Sequence, residues 1–224
     1  MGEVWIFGDS FAMPYEDDNT TWTSQLSEKY HVKNFAYGGT GPDWSLQQLL
    51  NQSTNKTPEQ LSNITVIFLI SSIMRFNFKT RDDVNHQVLT PNFQYGTKHE
   101  KKLYKKYRKE ATFLKKFYKE YALHGTYCET EILKIIGYLN LLSHKYSKIL
   151  VWSIFDDFEY PILDNDKIHV PDLLLSDIMM YEPYRSMKYK NHFTTAVHDI
   201  LANEILNWID NDTPIDTTKF LKNT

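Results

Sequence analysis

Four short runs of β-branched and aromatic residues recur along the chain, at residues 3–8, 32–36, 65–71 and 148–154, each divided from the next by a stretch with helical spacing. That alternation confines the sequence to βαβ units, and so to an α/β fold on a parallel sheet. Between the first two runs, Trp22, Leu26 and Tyr30 fall four apart, as on one helical face. Asp43 stands where an N-cap is expected for a helix over 44–50, and residues 51–64, polar with Pro58, read as a connection. After the third run, Pro91, Gly96 and scattered polar residues predict an irregular insertion over 76–97. Two long helical patterns follow, 98–123 and 129–146, the second with Ile132, Ile135, Ile136, Leu139, Leu142 and Tyr146 on a shared face. Residues 156–189, with Pro161, Pro171 and Pro183, read mostly as loop with short elements. An amphipathic helix over 194–208 follows, and 211–224 is a polar tail expected to fray.

Composition removes several other classes. With 42% hydrophobic and 15% aromatic residues the chain is not disordered, and 224 residues suffice for a sizeable core. Its one cysteine, Cys128, cannot form an intramolecular disulfide or a structural zinc cluster. Glu3 stands where an export signal carries positive charge, and Gly8 and Asp9 end the apolar run, so the first segment reads as a strand and the cytoplasm is the expected compartment. Apolar runs such as 66–70 fall far short of the roughly 18 residues that span a bilayer, so no membrane span is expected.

The first run, Val4-Trp5-Ile6-Phe7-Gly8-Asp9-Ser10, carries the most chemical content. It puts a small nucleophilic side chain at the carboxyl end of a strand, where open α/β sheets bind their ligands. Asp9 and Ser10 could equally do no more than cap the following turn. The second run leads into Asn34-Phe35-Ala36-Tyr37-Gly38-Gly39-Thr40-Gly41, a glycine-rich turn able to aim a backbone N–H at the same place. Near the other end, Asn191-His192-Phe193-Thr194-Thr195-Ala196-Val197-His198 puts a histidine just before a helix, within reach of the sheet edge as a general base.

In this order the three segments resemble the SGNH hydrolases, also called the GDSL family. Gly8-Asp9-Ser10 is similar to the first block and Asn34 to Gly39 to the glycine block. His192 with Phe193 through Ala202, including a second histidine at His198, resembles the final block. The resemblance implies a three-layer α/β/α sandwich on a parallel sheet (SGNH/flavodoxin-like), with Ser10 as nucleophile, His192 as base and the N–H groups of Ser10 and Gly39 in the oxyanion hole. Because these residues span positions 10 to 192, a single domain over 1–210 with an insertion around 76–123 is expected. No metal or organic cofactor is implied. The compact, tyrosine-rich style is also similar to SGNH-like proteins of tailed bacteriophages.

The chain departs from that family twice. The third block ordinarily ends in Gly-x-Asn, the Asn completing the oxyanion hole, whereas here it reads Ile70-Ser71-Ser72-Ile73-Met74-Arg75. Ser71 or Ser72 could supply a hydroxyl donor and Arg75 a positive charge; losing one such donor costs on the order of 10²–10³ in rate. The family's acid sits three residues before the histidine, and that position is Tyr189. His192 is then left to a dyad with a backbone carbonyl, or to an acid recruited from Asp156, Asp157 or Glu182.

A second chemical feature is charge. Between Lys98 and Glu120 ten Lys/Arg and three Glu give +7, so with the chain at −3 the remainder carries −10. Leu103, Tyr107, Leu114, Phe117 and Tyr121 lie at three- to four-residue steps apart from the gap at Ala111, which leaves a basic face either simply solvated or open to an anionic partner. No nucleic-acid motif accompanies it, so it is not read as a DNA-binding helix. Two functions are carried forward: an ester hydrolase acting on a small-molecule or glycan ester, and a catalytically weak or inactive binding protein that uses the cleft or the basic helix 98–120.

Overall fold

The computed structural model describes residues 2–13, 21–73, 75–78, 87–89, 105, 108–117, 119–120, 125–154, 166–180 and 193–221. Its strands are β1 (Glu3–Phe7), β2 (His31–Asn34), β3 (Ile64–Ile70), β4 (Phe76–Phe78), β5 (Gln87–Leu89), β6 (Lys148–Ser153) and β7 (Ile168–His169). Its helices are α1 (Trp22–Ser27), α2 (Pro42–Thr54), α3 (Pro58–Leu61), α4 (Arg108–Phe117), α5 (Gly125–Ser143), α6 (Leu175–Met180) and α7 (Thr195–Asn211), with a final 3₁₀ turn at Thr217–Phe220.

Five strands form one sheet in the order β2-β1-β3-β6-β7, and every pairing in it is parallel. Trp5 pairs with Lys33 on one side and with Val66 on the other, and Val66 in turn pairs with Ile149. A parallel sheet covered on both faces wants continuous apolar runs rather than alternation, and all seven residues of β3 are buried. Successive side chains then part to opposite faces. Val4, Ile6, Ile67, Leu69, Leu150 and Trp152 pack with Trp22 and Leu26 of α1 and with Val197, Leu201, Ile205 and Trp208 of α7. Trp5, Phe7, Val66, Phe68, Ile149 and Val151 pack with Leu46 and Leu49 of α2 and with Ile132, Ile136 and Leu139 of α5. The result is the expected three-layer α/β/α arrangement.

The strand order carries the functional consequence. From β1 the chain steps to β2 on one side and then crosses back to β3 on the other, so the topological switch lies between β1 and β3. In open α/β sheets the crevice outside the carboxyl ends at that switch is where ligands bind. The chain leaves β1 there as Gly8-Asp9-Ser10 and leaves β3 there as Ser71 and Ser72.

Local details differ from the expectations above. The N-cap of α2 is Gly41 with Pro42 in the first turn, so Asp43 lies inside the helix, and the helix runs on to Thr54. The expected connection 51–64 contains α3, started by a reciprocal capping box between Thr57 and Gln60. Inside the segment expected to be irregular, β4 and β5 form an antiparallel pair. The stretch 156–189 contributes a fifth strand, the two-residue β7, and the short helix α6. Residues 212–221, taken from their polarity as a fraying tail, are tied down. Phe220 is fully buried with its ring edge-on to Trp152 at 6.2 Å, and buried Glu204 accepts from the Asp216 N–H at 2.8 Å and pairs with Lys219. The Lys148 ammonium donates to the Trp208 and Ile209 carbonyls at 3.1 and 3.0 Å, closing the carboxyl end of α7. No helix among the described residues is long and apolar enough to cross a membrane.

Candidate active site

The carboxyl end of β1 turns through residues 8–12, and within that turn Ser10 alone is partly exposed. Its two neighbours fix its backbone. Asp9, with no exposed surface, accepts the Phe11 N–H on Oδ1 at 3.0 Å, while its carbonyl accepts the Ala12 N–H at 3.1 Å. Side chain and main chain of one residue therefore close the turn around Ser10, the Asx pattern that competes with continued strand. From the other side the Asn34 amide donates to the Ala12 carbonyl at 2.6 Å while its oxygen accepts the Ala36 N–H at 2.9 Å. The end of β2 is thereby fastened to the serine turn.

The glycine-rich segment runs alongside. A Cβ on Gly38 would lie 3.2 Å from the Met13 sulfur and 3.8 Å from the Ser10 Cβ, so the loop passes directly beside the serine. Gly39 has φ +79°, a left-handed conformation that side chains disfavour, and the space a Cβ would enter is open. Thr40, fully buried, holds the loop in place: its hydroxyl donates to the Tyr37 carbonyl at 2.7 Å and lies 3.3 Å from the Gly8 carbonyl, which also accepts the Tyr37 N–H at 3.1 Å. The β3 end joins this web through the Ser71 hydroxyl, which donates to the Thr40 carbonyl at 2.7 Å. Ser71 is thus committed to holding the loop. Ser72, the other hydroxyl considered from sequence, is half-buried in the same loop, and its carbonyl accepts the Arg75 N–H at 3.1 Å.

Arg75 completes the arrangement in a way its sequence position did not disclose. Its guanidinium, 20% exposed, donates to Oδ2 of Asp9 in an ion pair across the β1/β3 switch. Its own carbonyl presses on the glycine loop: a Cβ on Gly41 would lie 2.1 Å from the Arg75 oxygen, so no larger residue fits at the start of α2. A buried carboxylate 66 positions away was the partner, and nothing in local spacing signals it.

His198, the second histidine of the last sequence block, is buried in the fold. Its Nδ1 accepts the Trp22 N–H at 3.3 Å, satisfying one of the free donors at the start of α1, and its ring lies edge-on to Phe193, which packs on Phe11. It therefore braces the layer beneath the serine turn. His192 and Tyr189 lie outside the described residues, as do Asp156, Asp157 and Glu182. Ser10 and the loop of Gly38 and Gly39 lie side by side at the carboxyl end of β1, tied down by Asp9, Asn34, Thr40, Ser71 and Arg75, and Ser72 follows β3 at the same end of the sheet.

No family model matches this chain and no curated protein matches it. Among solved structures, a psychrotrophic esterase, EstA from Pseudoalteromonas sp., in a form inhibited by monoethylphosphonate, is similar to it over 94% of this chain and 100% of that one, at 10% identity and a TM-score of 0.46. At that likeness neither a residue nor an activity transfers.

Proposed function

We propose that this protein is a serine ester hydrolase of the SGNH type, with a small-molecule or glycan ester as substrate. One observation carries the reading: a partly exposed serine stands at the β1/β3 switch in a turn closed by both the side chain and the main chain of Asp9, with the left-handed Gly39 loop running alongside. In this mechanism the Ser10 hydroxyl attacks the ester carbonyl while His192 takes its proton, and the N–H groups of Ser10 and Gly39 donate to the oxyanion that forms. His192 returns the proton to the leaving alkoxide as the acyl–oxygen bond breaks. Water, deprotonated by His192, then releases the carboxylic acid and restores Ser10. Ser72 is the candidate third donor where the resembled family has Asn, and Asp156, Asp157 and Glu182 are the candidates to orient His192. The test is turnover of short-chain nitrophenyl esters by the full chain. Ser10→Ala and His192→Ala are each expected to lose on the order of 10³-fold or more, and turnover unaffected by Ser10→Ala would overturn the assignment.

A second reading keeps the sandwich as a binding protein, and the surface of α4 favours it. Arg108, Lys109 and Lys116 on the helix, with Lys105 before it and Lys119 after it, are all exposed, and Phe113 among them is 68% exposed. At 100° per residue Arg108, Lys109, Phe113 and Lys116 share one side of the helix. Such a face suits an anionic polymer or surface. Reversing Lys105, Lys109 and Lys116 to Glu is expected to abolish salt-sensitive retention on heparin; unchanged retention would leave the face merely solvated.

A further inference from the structure

The serine turn is built around a buried negative charge. A carboxylate without exposed surface is costly unless it is paired and hydrogen-bonded. Asp9 has both: one oxygen takes the Phe11 N–H and the other takes Arg75. The same cation sits where the two loops of the site meet, since its carbonyl abuts Gly41 at the end of the glycine loop and its side chain reaches the turn that presents Ser10. Arg75 thus touches both segments that flank Ser10, the serine turn through Asp9 and the glycine loop through Gly41.

We infer that Arg75 is a positioning residue for Ser10, acting through Asp9, and that it neutralises a carboxylate that would otherwise oppose negative charge developing one residue away. The inference rests on Ser10 being the nucleophile. Its electrostatic part follows from Coulomb's law in a poorly solvated place, where an unpaired carboxylate beside the oxyanion raises the transition state and leaves ester binding largely unchanged. Its geometric part follows from the turn. With Arg75 gone, the Asp9 side chain seeks water, and the two hydrogen bonds that bracket Ser10 loosen with it. Arginine is suited to the task because its planar group carries several donors in fixed directions and stays charged when buried.

Two measurements on the full-length protein test this. The first is the rate of covalent labelling of folded protein by a fluorophosphonate, in which the Ser10 oxygen bonds phosphorus and fluoride leaves, together with kcat and KM on a nitrophenyl ester. Arg75→Gln is expected to lower the labelling rate and kcat on the order of 10²-fold, as a small misplacement of reacting groups does, with KM little changed. Arg75→Lys is expected to recover part of that loss. Adding Asp9→Asn to Arg75→Gln is expected to recover part as well, because the buried charge is then gone. Lys219→Gln, at the buried carboxylate of Glu204, serves as the control with unchanged rates. The second measurement needs no activity: amide hydrogen exchange at Phe11 and Ala12, whose protection is expected to fall in Arg75→Gln while β3 and β6 keep theirs. Absence of Ser10-dependent labelling in the unmodified protein counts against the esterase reading, and the exchange result then decides the positioning role alone. Unchanged exchange at Phe11 and Ala12 in Arg75→Gln, or a labelling loss that neither Arg75→Lys nor the double variant relieves, overturns the inference.

Discussion

Asp9 and Glu204 are both buried carboxylates, and each is held by one cation and one backbone N–H. At Asp9 the cation is Arg75, 20% exposed, and the donor is the Phe11 N–H two residues on. At Glu204 the cation is Lys219, 47% exposed, and the donor is the Asp216 N–H twelve residues on. At Asp9 the N–H partner lies inside the turn and the cation, brought from the end of β3, is mostly covered, so the pair shapes the Ser10 turn. At Glu204 both partners lie on residues 212–221 and the cation is half-wetted, so the pair fastens that strap to α7. Burying a carboxylate in either place is not in itself stabilising against an apolar alternative; what the pair confers is one defined geometry. Where that geometry surrounds Ser10 its loss should register in chemistry, and where it secures residues 212–221 its loss should register in stability.

The largest expected effect that separates the two regions lies at the strap. Phe220→Ala removes a fully buried ring from beside Trp152 and should lower unfolding stability by about 3–5 kcal/mol in a denaturant titration. Under conditions where the variant remains folded, its labelling rate at Ser10 should match that of the parent; a parallel loss of labelling would mean that the two regions are not independent. A smaller effect is expected from pH. His169 accepts the Ile215 N–H on Nε2 at 3.1 Å and stacks on Trp208, and burial holds its pKa below the ordinary value near 6.5, with Asp172 opposing. A base whose pKa is depressed in the folded state is protonated first in the unfolded chain. Stability is therefore full above about pH 6.5 and falls as pH drops from there toward the folded-state pKa. His169→Phe should flatten the unfolding midpoint between pH 7 and 5, and a midpoint that falls equally in both proteins would remove His169 from the account.

How much of this was legible in the sequence follows from the physics of each part. The runs at 3–8, 65–71 and 148–154 found β1, β3 and β6 to within a residue at either end, because a sheet buried on both faces needs continuous apolar segments. The α5 pattern from Ile132 to Leu142 was equally plain, although the helix itself begins at Gly125. Two-residue β7 leaves no periodicity to detect, and Phe220 is one aromatic in a polar stretch, so its burial depends wholly on where α7 delivers it. The capping box of Thr57 with Gln60 has a readable spacing, but it starts only one turn of helix inside a polar stretch that otherwise carries no helical periodicity. The placement of Ser10 after β1 and the left-handed turn at Gly39 were legible because strand ends and glycine turns announce themselves locally. In sequence Arg75 is only a charge where the resembled family has Asn nearby; its pairing with Asp9 depends on β1 and β3 being neighbours, which the strand order alone establishes.

If the turn closed by Asp9 presents a nucleophilic serine, peptide mapping by mass spectrometry after incubating the full chain with a fluorophosphonate at pH 7–8 finds it. One stoichiometric phosphonyl adduct is expected on the peptide carrying Ser10, absent in Ser10→Ala and slowed in Arg75→Gln. An unmodified Ser10 peptide, or an adduct that persists in Ser10→Ala, would contradict it.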